Sequence, residues 1–264
     1  MEVSASAVAI VGPRQVGKTT LAKLFAGTYF DLEMDADRTR VDIMWDDLSK
    51  ARGLVVLDEA QVHPAIFPRL RAAIDQQRKR NGRFLLLGSV GPDLMRDVSE
   101  SLAGRLSIVE LTPFLLPELG SKRLRNLWLW GGFPDSGVLH SASYPTWARD
   151  YLTLLAQRDL PAWGLPAKPN VTLRLFRMLA AVHGQEWNAS SVGSSLGVTY
   201  HTINSYVDYL EGAFLIRRLR PFHANLKKRL VKRPKVYWRD PGSRRTCHLS
   251  TIEYSASAPS LRGC

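Results

Sequence analysis

The chain has 264 residues, 45% of them hydrophobic, which is enough to bury one large core or two modest ones. No apolar run approaches the roughly 20 residues that span a bilayer, and the first residues lack the basic region of a signal peptide. Both cysteines lie near the end of the chain, which excludes a disulfide framework and a thiolate metal cluster. We therefore predict a cytoplasmic protein of two domains with no membrane partner.

A phosphate-binding signature opens the chain. Ala7–Val11 is a short apolar run typical of a buried parallel strand, and residues 12–19 read G-x-x-x-x-G-K-T before apolar residues at helical spacing. Strand, glycine-rich loop and helix in this order predict a P-loop rather than an ordinary turn. A dinucleotide site is excluded because G-x-G-x-x-G is absent.

The residue types of this loop suit a triphosphate. Gly12 and Gly17 allow backbone amides to surround phosphate oxygens, and the helix N-terminus adds further donors. Lys18 is expected to reach the β- and γ-phosphates, and the Thr19 hydroxyl to ligate Mg²⁺. The predicted ATP contacts are Gly12, Pro13, Arg14, Gln15, Val16, Gly17, Lys18, Thr19 and Thr20.

A second apolar run ends in two acids. Leu54–Asp58 followed by Glu59 resembles a Walker B strand, whose carboxyl end carries chemistry in open α/β sheets. We expect Asp58 to hold the Mg²⁺ shell and Glu59 to act as general base on the attacking water. Gln61 either orients that water or caps the next turn.

Two more polar residues flank predicted strands. Ser89 follows residues 83–87, where additional-strand P-loop ATPases keep a sensor of the γ-phosphate; the alternative is a plain glycine-serine turn. Arg105 precedes residues 107–111, and its charged fork is suited to a transferring phosphoryl group; the alternative is a surface arginine.

The alternation of strands and helices predicts an α/β P-loop NTPase core with a mostly parallel five-stranded sheet, over residues 1–116. A helix is also expected over residues 93–102. The five predicted strands are Ala7–Val11, 28–32, Leu54–Asp58, 83–87 and 107–111.

The C-terminal part divides into a helical region at 117–168 and a winged helix-turn-helix at 169–240. Four tryptophans of the helical region are interpreted as packing anchors rather than a ligand cage; they are Trp128, Trp130, Trp147 and Trp163. Helices are predicted over residues 190–196 and 200–210, and the outward polar set of the second is His201, Thr202, Asn204, Ser205 and Asp208.

The net charge of +12 comes almost entirely from one segment, residues 217–245, in which the only acid is Asp240. The P-loop half of the chain is close to neutral, so an anionic partner should meet the C-terminal part. If the module binds DNA, basic side chains of the predicted wing would bind phosphates while the second helix meets base edges. The alternative is a winged helix that makes protein contacts or packs on the ATPase domain. The twelve basic residues are Arg217, Arg218, Arg220, Lys227, Lys228, Arg229, Lys232, Arg233, Lys235, Arg239, Arg244 and Arg245.

The order of these motifs resembles that of prokaryotic AAA-type ATPases that carry a C-terminal domain of unknown function. The resemblance implies ATP binding and hydrolysis, and a phosphate-sensing role for Arg105 in the Gly-Arg element of the family. The family usually has Thr-Gly-Ser-Ser where this chain has L-G-S-V. The shared motifs are GPRQVGKTTLAKLF, LDEAQ, LLLGSV, SLAGR, ELTPF, GGFP at residues 131–134 and YLTLLAQRDL at residues 151–160.

The tail at residues 241–264 departs from that resemblance. Members of the family continue with a further domain that resembles a restriction-nuclease fold, whereas this tail is rich in serine and arginine and has no helical or strand period. The tail is therefore expected to be aberrant and disordered, as a truncated or frameshifted product or as a natural disordered tail.

Together these features predict an ATP- and Mg²⁺-dependent ATPase that uses ATP to drive or switch contacts of its winged-helix module. Two alternatives are a nucleotide-binding switch without hydrolysis and a DNA-associated regulator. The predicted partners are ATP, DNA or a protein at the basic segment, and further copies of the chain in an oligomer.

Overall fold

The computed structural model describes residues 5–89, 102–139, 144–222 and 233–256. The chain forms two compact units, Met1–Thr112 and Pro113–Cys264. The sequence predicts a boundary at residue 116, whereas Pro113, which lacks an N–H donor, begins the second unit. Among the described residues, no helix is both long and apolar enough to cross a membrane.

The first unit is built on a five-stranded sheet in which every pairing is parallel. The strand order is β2-β3-β4-β1-β5, which confirms the predicted α/β core with a parallel sheet. The strands are β1 (Ala7–Val11), β2 (Gly27–Asp31), β3 (Leu54–Asp58), β4 (Phe84–Gly88) and β5 (Leu106–Glu110).

The strands at the middle of the sheet carry the core. All five residues of β4 are buried, and the apolar residues of β3 are buried from Val55 onward, because a parallel sheet covered on its faces needs apolar side chains in both directions. The register pairs Val11 with Gly88, so the carboxyl ends of β1 and β4 coincide. Loops that leave these strands therefore meet at one edge of the sheet.

Three helices are described in this unit, α1 (Lys18–Ala22), α2 (Asp35–Leu48) and α3 (Ile66–Gln76). In α3, one face buries Phe67, Leu70 and Ile74 at helical spacing. The helix predicted over residues 93–102 lies outside the described residues except for Leu102, as does Val90 of the LLLGSV motif.

The second unit is mainly helical. An aromatic cluster supports its first half: Trp147 stacks on Tyr151 with ring centroids 5.0 Å apart, and Phe133 packs against both. Trp147 is thus a packing anchor, as predicted. Trp128 is not, because its side chain is 69% exposed. The helices are α4 (Leu116–Leu119), α5 (Leu124–Trp130), α6 (Thr146–Leu154), α7 (Leu160–Ala162), α8 (Pro169–Ala181), α9 (Ala189–Leu196), α10 (Tyr200–Gly212) and α11 (Pro241–Ala256).

Helices α9 and α10 are joined by a short turn, and each begins with a side-chain cap. The Asn188 side chain accepts from the Ser191 N–H, and Thr199 accepts from the Thr202 N–H. An antiparallel pair follows, β6 (Ile216–Leu219) and β7 (Lys235–Trp238). Residues 223–232, which include Lys227, Lys228 and Arg229 of the predicted wing, lie outside the described residues, so the winged helix stays a prediction.

The tail contains a helix where the sequence predicts disorder. Asp240 precedes α11, and its Oδ2 accepts from the Ser243 N–H at 2.7 Å and from the Ser243 hydroxyl at 2.9 Å. An aspartate cap followed by proline is a favourable helix start. Cys247 on this helix is buried. The prediction of disorder is therefore wrong for Pro241–Ala256.

Asp240 also explains the GGFP motif. Its Oδ1 accepts from the Gly132 N–H at 2.7 Å, and a Cβ on Gly131 would lie 2.3 Å from the same oxygen. Glycine is therefore required for this approach. The carboxyl is buried, and burial raises its pKa while the N–H donors lower it. One side chain thus ties the start of α11 to the loop after α5.

We predict that Asp240→Ala lowers the free energy of unfolding by about 2–4 kcal/mol, because it leaves the buried Gly132 and Ser243 donors without acceptors. Thermal and denaturant unfolding of the purified chain would measure this change. Asp150→Ala, which removes an exposed acid of α6, is the matched control. Equal stability of the two variants would show that the Asp240 bonds contribute nothing.

Candidate functional site

The loop between β1 and α1 has no room for side chains at its start. A Cβ on Gly12 would lie 2.2 Å from the Leu111 carbonyl oxygen, which is far inside van der Waals contact. Gly17, at φ 100°, adopts a left-handed conformation that glycine reaches without strain. The Leu21 N–H then bonds to the Gly17 carbonyl as α1 begins. The loop is thus shaped as the G-x-x-x-x-G-K-T pattern predicts.

Lys18 is the first residue of α1 and is buried. Its Nζ donates to the carbonyl oxygens of Gly12 at 3.0 Å and Pro13 at 2.9 Å, so the ammonium folds back over the loop. Burial lowers its pKa to about 8, although the carboxylates of Glu59 and Asp58 raise it. A buried ammonium in a loop of main-chain amides is the chemistry expected of an anion site.

The Asp58 carboxylate is the polar centre of the site. It is buried at the end of β3, where Oδ2 accepts from the Thr19 hydroxyl at 2.6 Å and from the Tyr29 hydroxyl at 2.7 Å. Its Oδ1 accepts from the Glu59 N–H at 2.9 Å. The structure therefore brings together Thr19 and Asp58, the two residues predicted to hold Mg²⁺. Oxygen atoms of this kind are the ligands that hard cations prefer.

Glu59 stands beside this centre in a left-handed conformation, with φ 48° and ψ 46°. Few residues other than glycine adopt it, and strain of this kind persists where surrounding structure enforces it. Glu59 Oε1 accepts from the Ser89 hydroxyl at 2.6 Å, and Oε2 accepts from the Gln61 amide. Ser89 is fully buried after β4, which lies between β1 and β3. Ser89 and Glu59 therefore meet because their strands are adjacent.

Arg14 lies in the loop and forms an ion pair of 2.9 Å with Glu33. Pro13, Gln15, Val16 and Thr20 complete the predicted ATP contacts and lie in the same loop and first turn. Gln15 has φ 62°, another left-handed residue in this short segment. The segment is therefore held in a conformation that an ordinary turn sequence would not adopt.

Arg105 is not brought to this edge of the sheet. It precedes β5, whose first residue pairs with Ala7 at the start of β1, so it lies about one strand length, roughly 16 Å, from the P-loop edge. Its guanidinium holds both carboxylate oxygens of Asp75, at 2.8 and 2.9 Å. This pairing lowers the pKa of Asp75 to about 2. Within one chain, Arg105 therefore does not join Lys18 and Glu59.

Tyr29 was missed by sequence reasoning. Burial raises the pKa of its hydroxyl, and the hydrogen bond to Asp58 raises it further. The hydroxyl therefore remains a donor to the carboxylate over the physiological range. An alternating aromatic residue in a strand carries no signal of such a role, because its partner lies on another strand.

The outward polar residues of α10 are partly engaged within the second unit. Asn204 accepts from the Trp187 indole at 2.9 Å, and Asp208 accepts from Arg218 at 2.6 Å. Thr202 contacts Thr199, its helix cap. His201 is exposed and Ser205 is half-buried. Some of the residues expected to contact base edges are therefore already hydrogen-bonded within the chain.

The sequence matches two family models. Residues 4–120 match an AAA domain, and residues 121–253 match a domain of unknown function, DUF8612. The second match includes most of α11, so the tail up to residue 253 is part of that domain.

Two curated relatives are each 40% identical over 243 residues, the uncharacterized proteins Rv2008c of Mycobacterium tuberculosis and Mb2031c of Mycobacterium bovis. The alignments cover 90% of this chain and 55% of each relative. The chain thus spans about half the length of the curated relatives it matches.

Solved structures give weaker likenesses. The Aeropyrum pernix ORC2 protein in its ADP form has a TM-score of 0.40 at 14% identity, over 98% of this chain and 90% of that chain. The Aeropyrum pernix ORC1 protein in complex with DNA gives 0.38 at 12% identity, over 96% and 88%. A single-residue variant of RuvB from Thermotoga maritima gives 0.35 at 19% identity, over 82% and 83%. These TM-scores are too low to support an argument, whereas the family models cover nearly the whole sequence. The chain therefore belongs to the family defined by the domain of unknown function DUF8612, and it carries an AAA domain on the N-terminal side of that domain.

Proposed function

We propose that the first unit binds ATP with Mg²⁺ and hydrolyses the bond to its γ-phosphate. The proposal rests on one observation, which is that residues at or just after the carboxyl ends of β1, β3 and β4 meet at one edge of the sheet. The residues that meet there are Lys18, Thr19, Asp58, Glu59 and Ser89. A P-loop lysine, a cation-binding pair and a carboxylate base are the parts that phosphoryl transfer to water requires.

The residues present fit a triphosphate. The close approach of the Gly12 backbone to Leu111 leaves main-chain groups, rather than side chains, to form the loop. The Lys18 ammonium already binds two carbonyl oxygens, and phosphate oxygens are stronger acceptors for it because they are charged. The half-buried Arg14 of the same loop is ion-paired with Glu33, so a phosphate would compete with that carboxylate for its guanidinium.

Thr19 and Asp58 would hold Mg²⁺, which when bound supplies positive charge that neutralises the phosphate oxygens. The Thr19 hydroxyl donates a hydrogen bond to Asp58, so the lone pairs of its oxygen are free to face a cation. Tyr29 donates to the same carboxylate oxygen and keeps the Asp58 side chain in place. The donor set therefore fits a hard divalent cation.

In the proposed reaction, a water oxygen forms a bond to the γ-phosphorus while the bond to the bridging oxygen breaks. Glu59 accepts the proton of that water, and the products are ADP and inorganic phosphate. Ser89 and Gln61 position the Glu59 carboxylate through their hydrogen bonds. In this proposal Ser89 responds when the γ-phosphate leaves, because its hydroxyl bonds to Glu59.

A switch without hydrolysis is the rival function, and one observation favours it. Both carboxylate oxygens of Glu59 already accept hydrogen bonds from side chains, so a water that approaches Glu59 must compete with Ser89 or Gln61. If those bonds persist with ATP bound, the nucleotide is held but turns over slowly. Measured turnover separates the two functions.

We propose that nucleotide binding to the first unit changes what the second unit binds. We infer that ATP occupancy alters the contacts that α9, α10 and the basic strand β6 make with DNA or with a protein partner. Support comes from the charge of residues 217–245, which contain twelve basic residues and one acid. An Arg105 contact with a nucleotide held by another copy of the chain remains a further prediction.

We predict that Glu59→Gln retains ATP binding but lowers phosphate release by about 10²–10⁴-fold, because an amide cannot accept the water proton. Lys18→Ala should lose both binding and turnover, since it removes the buried ammonium. A fluorescent ATP analogue measures binding, and release of inorganic phosphate measures turnover.

Asp46→Asn, an exposed acid on α2, is the control for the loss of one negative charge and should behave as the unaltered chain. Unchanged turnover in Glu59→Gln would remove Glu59 from the mechanism. Binding without any turnover in the unaltered chain would establish the switch instead.

ATP affinity should also depend on pH. The pKa of Lys18 is about 8, and a bound phosphate anion favours the charged ammonium, so binding raises this pKa. Above about pH 8, binding must then take up a proton, and affinity should fall by up to about tenfold per pH unit. Below that pH the lysine is already charged and affinity should be flat with respect to this group.

Calorimetry in two buffers of different ionisation enthalpy measures the proton uptake directly. Lys18→Arg, whose side chain stays charged throughout, should abolish the uptake. Equal uptake in both proteins would assign the proton to another group.

A further inference from the structure

The second unit contains a cleft of about 550 Å³ between α5, β7 and α11. This volume lies within the range of small-molecule sites. Its walls combine aromatic rings with basic groups, and no acid is among the residues that line it. The lining residues include Trp128, His183, Tyr237, Arg244 and Arg245. The P-loop unit contributes none of them.

Among the described side chains, none pairs with the two arginines of the cleft. Arg244 is half-buried, and its guanidinium makes no hydrogen bond or ion pair within the described part of the chain; its Nε is fully covered without an acceptor. Arg245 is exposed and likewise unpaired among the described side chains. A partly desolvated guanidinium such as that of Arg244 binds anions strongly, and the fork of either arginine matches phosphate oxygens.

His183 adds an oriented donor. Its Nδ1 accepts from the Trp238 N–H at 3.1 Å, so the neutral ring carries its proton on Nε2. Burial lowers the pKa of His183, and Arg244 lowers it further, which keeps the ring neutral beside the arginine. The cleft therefore offers a fixed N–H next to a cation.

The aromatic wall suits a planar ligand. Trp128 is 69% exposed, which is unusual for a large indole and leaves its ring available for stacking. Tyr237 packs edge-on against His183, with ring centroids 5.3 Å apart, so its ring is held in place. Base stacking on such rings tolerates any base and contributes strongly to binding.

We propose that this cleft binds a nucleotide unit, with the phosphate held by Arg244 and Arg245 and the base stacked on Trp128. A simple anion would bind the arginines but would not stack on the exposed indole of Trp128. An acidic peptide would likewise supply negative charge but no planar group for stacking. The unit comes either from a free nucleotide or from single-stranded nucleic acid, which share this chemistry. The site is separate from the P-loop and does not depend on ATP hydrolysis.

The test uses the full chain with Lys18→Ala, so that the P-loop does not contribute. A short fluorescein-labelled oligothymidylate is titrated by fluorescence anisotropy, with thymidine monophosphate as competitor. Arg245→Glu should weaken binding about tenfold or more, and Trp128→Ala about fivefold or more. Both side chains are exposed, so neither change should lower the melting temperature.

Arg149→Glu, which reverses the charge of an exposed arginine on α6 outside the cleft, is the matched control and should bind as the parent. Displacement of the oligonucleotide by the monophosphate identifies a free nucleotide as sufficient, and resistance to displacement identifies the strand as the source. Three results would overturn the proposal. They are absence of binding, equal losses in Arg149→Glu and Arg245→Glu, and displacement by tetraglutamate that is as effective as displacement by the monophosphate.

Discussion

The hydrogen bond from the Thr19 hydroxyl to the Asp58 carboxylate joins two elements that are not neighbours in the sheet. Thr19 lies on α1, directly after β1, and Asp58 ends β3, while β4 runs between those strands. The bond forms because parallel strands in register bring their carboxyl ends to one edge. The P-loop, the proposed cation-binding pair and the proposed base all depend on that alignment. Arg105 illustrates the converse, because it begins its strand and so lies at the other edge.

The charged groups at this edge are engaged with protein atoms. Lys18 bonds to carbonyl oxygens of its own loop, and Glu59 accepts bonds from Ser89 and Gln61. A nucleotide would exchange these internal bonds for bonds to phosphate and water. Such exchanges are nearly balanced, since each hydrogen bond lost is replaced by another. If Glu59 is the proposed base, a modest difference in binding free energy would be enough to release it from these bonds, which would couple nucleotide occupancy to catalysis.

The second unit depends on another buried carboxylate. Asp240 caps α11 and also binds the Gly132 N–H of the GGFP loop. Two motifs more than one hundred residues apart along the chain are thus parts of one structural contact. The same contact positions α11 so that Arg244 and Arg245 line the cleft with Trp128 of α5. Helix α11, which has no apolar periodicity in the sequence, therefore lines one side of the basic and aromatic cleft.

The local elements of this fold can be predicted from short stretches of the chain. Local patterns predict the P-loop, the strand that ends in Asp58 just before Glu59, the other strands of the sheet, and the pair of helices α9 and α10, because each pattern lies in a run of adjacent residues. The residues D-P-G-S at the start of α11 are also typical of a helix N-terminus, although the polar composition of the tail favours disorder. Which strand ends meet becomes clear only in the folded chain. There Tyr29 bonds to Asp58 and Ser89 bonds to Glu59, whereas Arg105 lies at the opposite end of its strand and Trp128 is exposed. Those outcomes depend on strand order and on contacts between distant segments, and no local period encodes them.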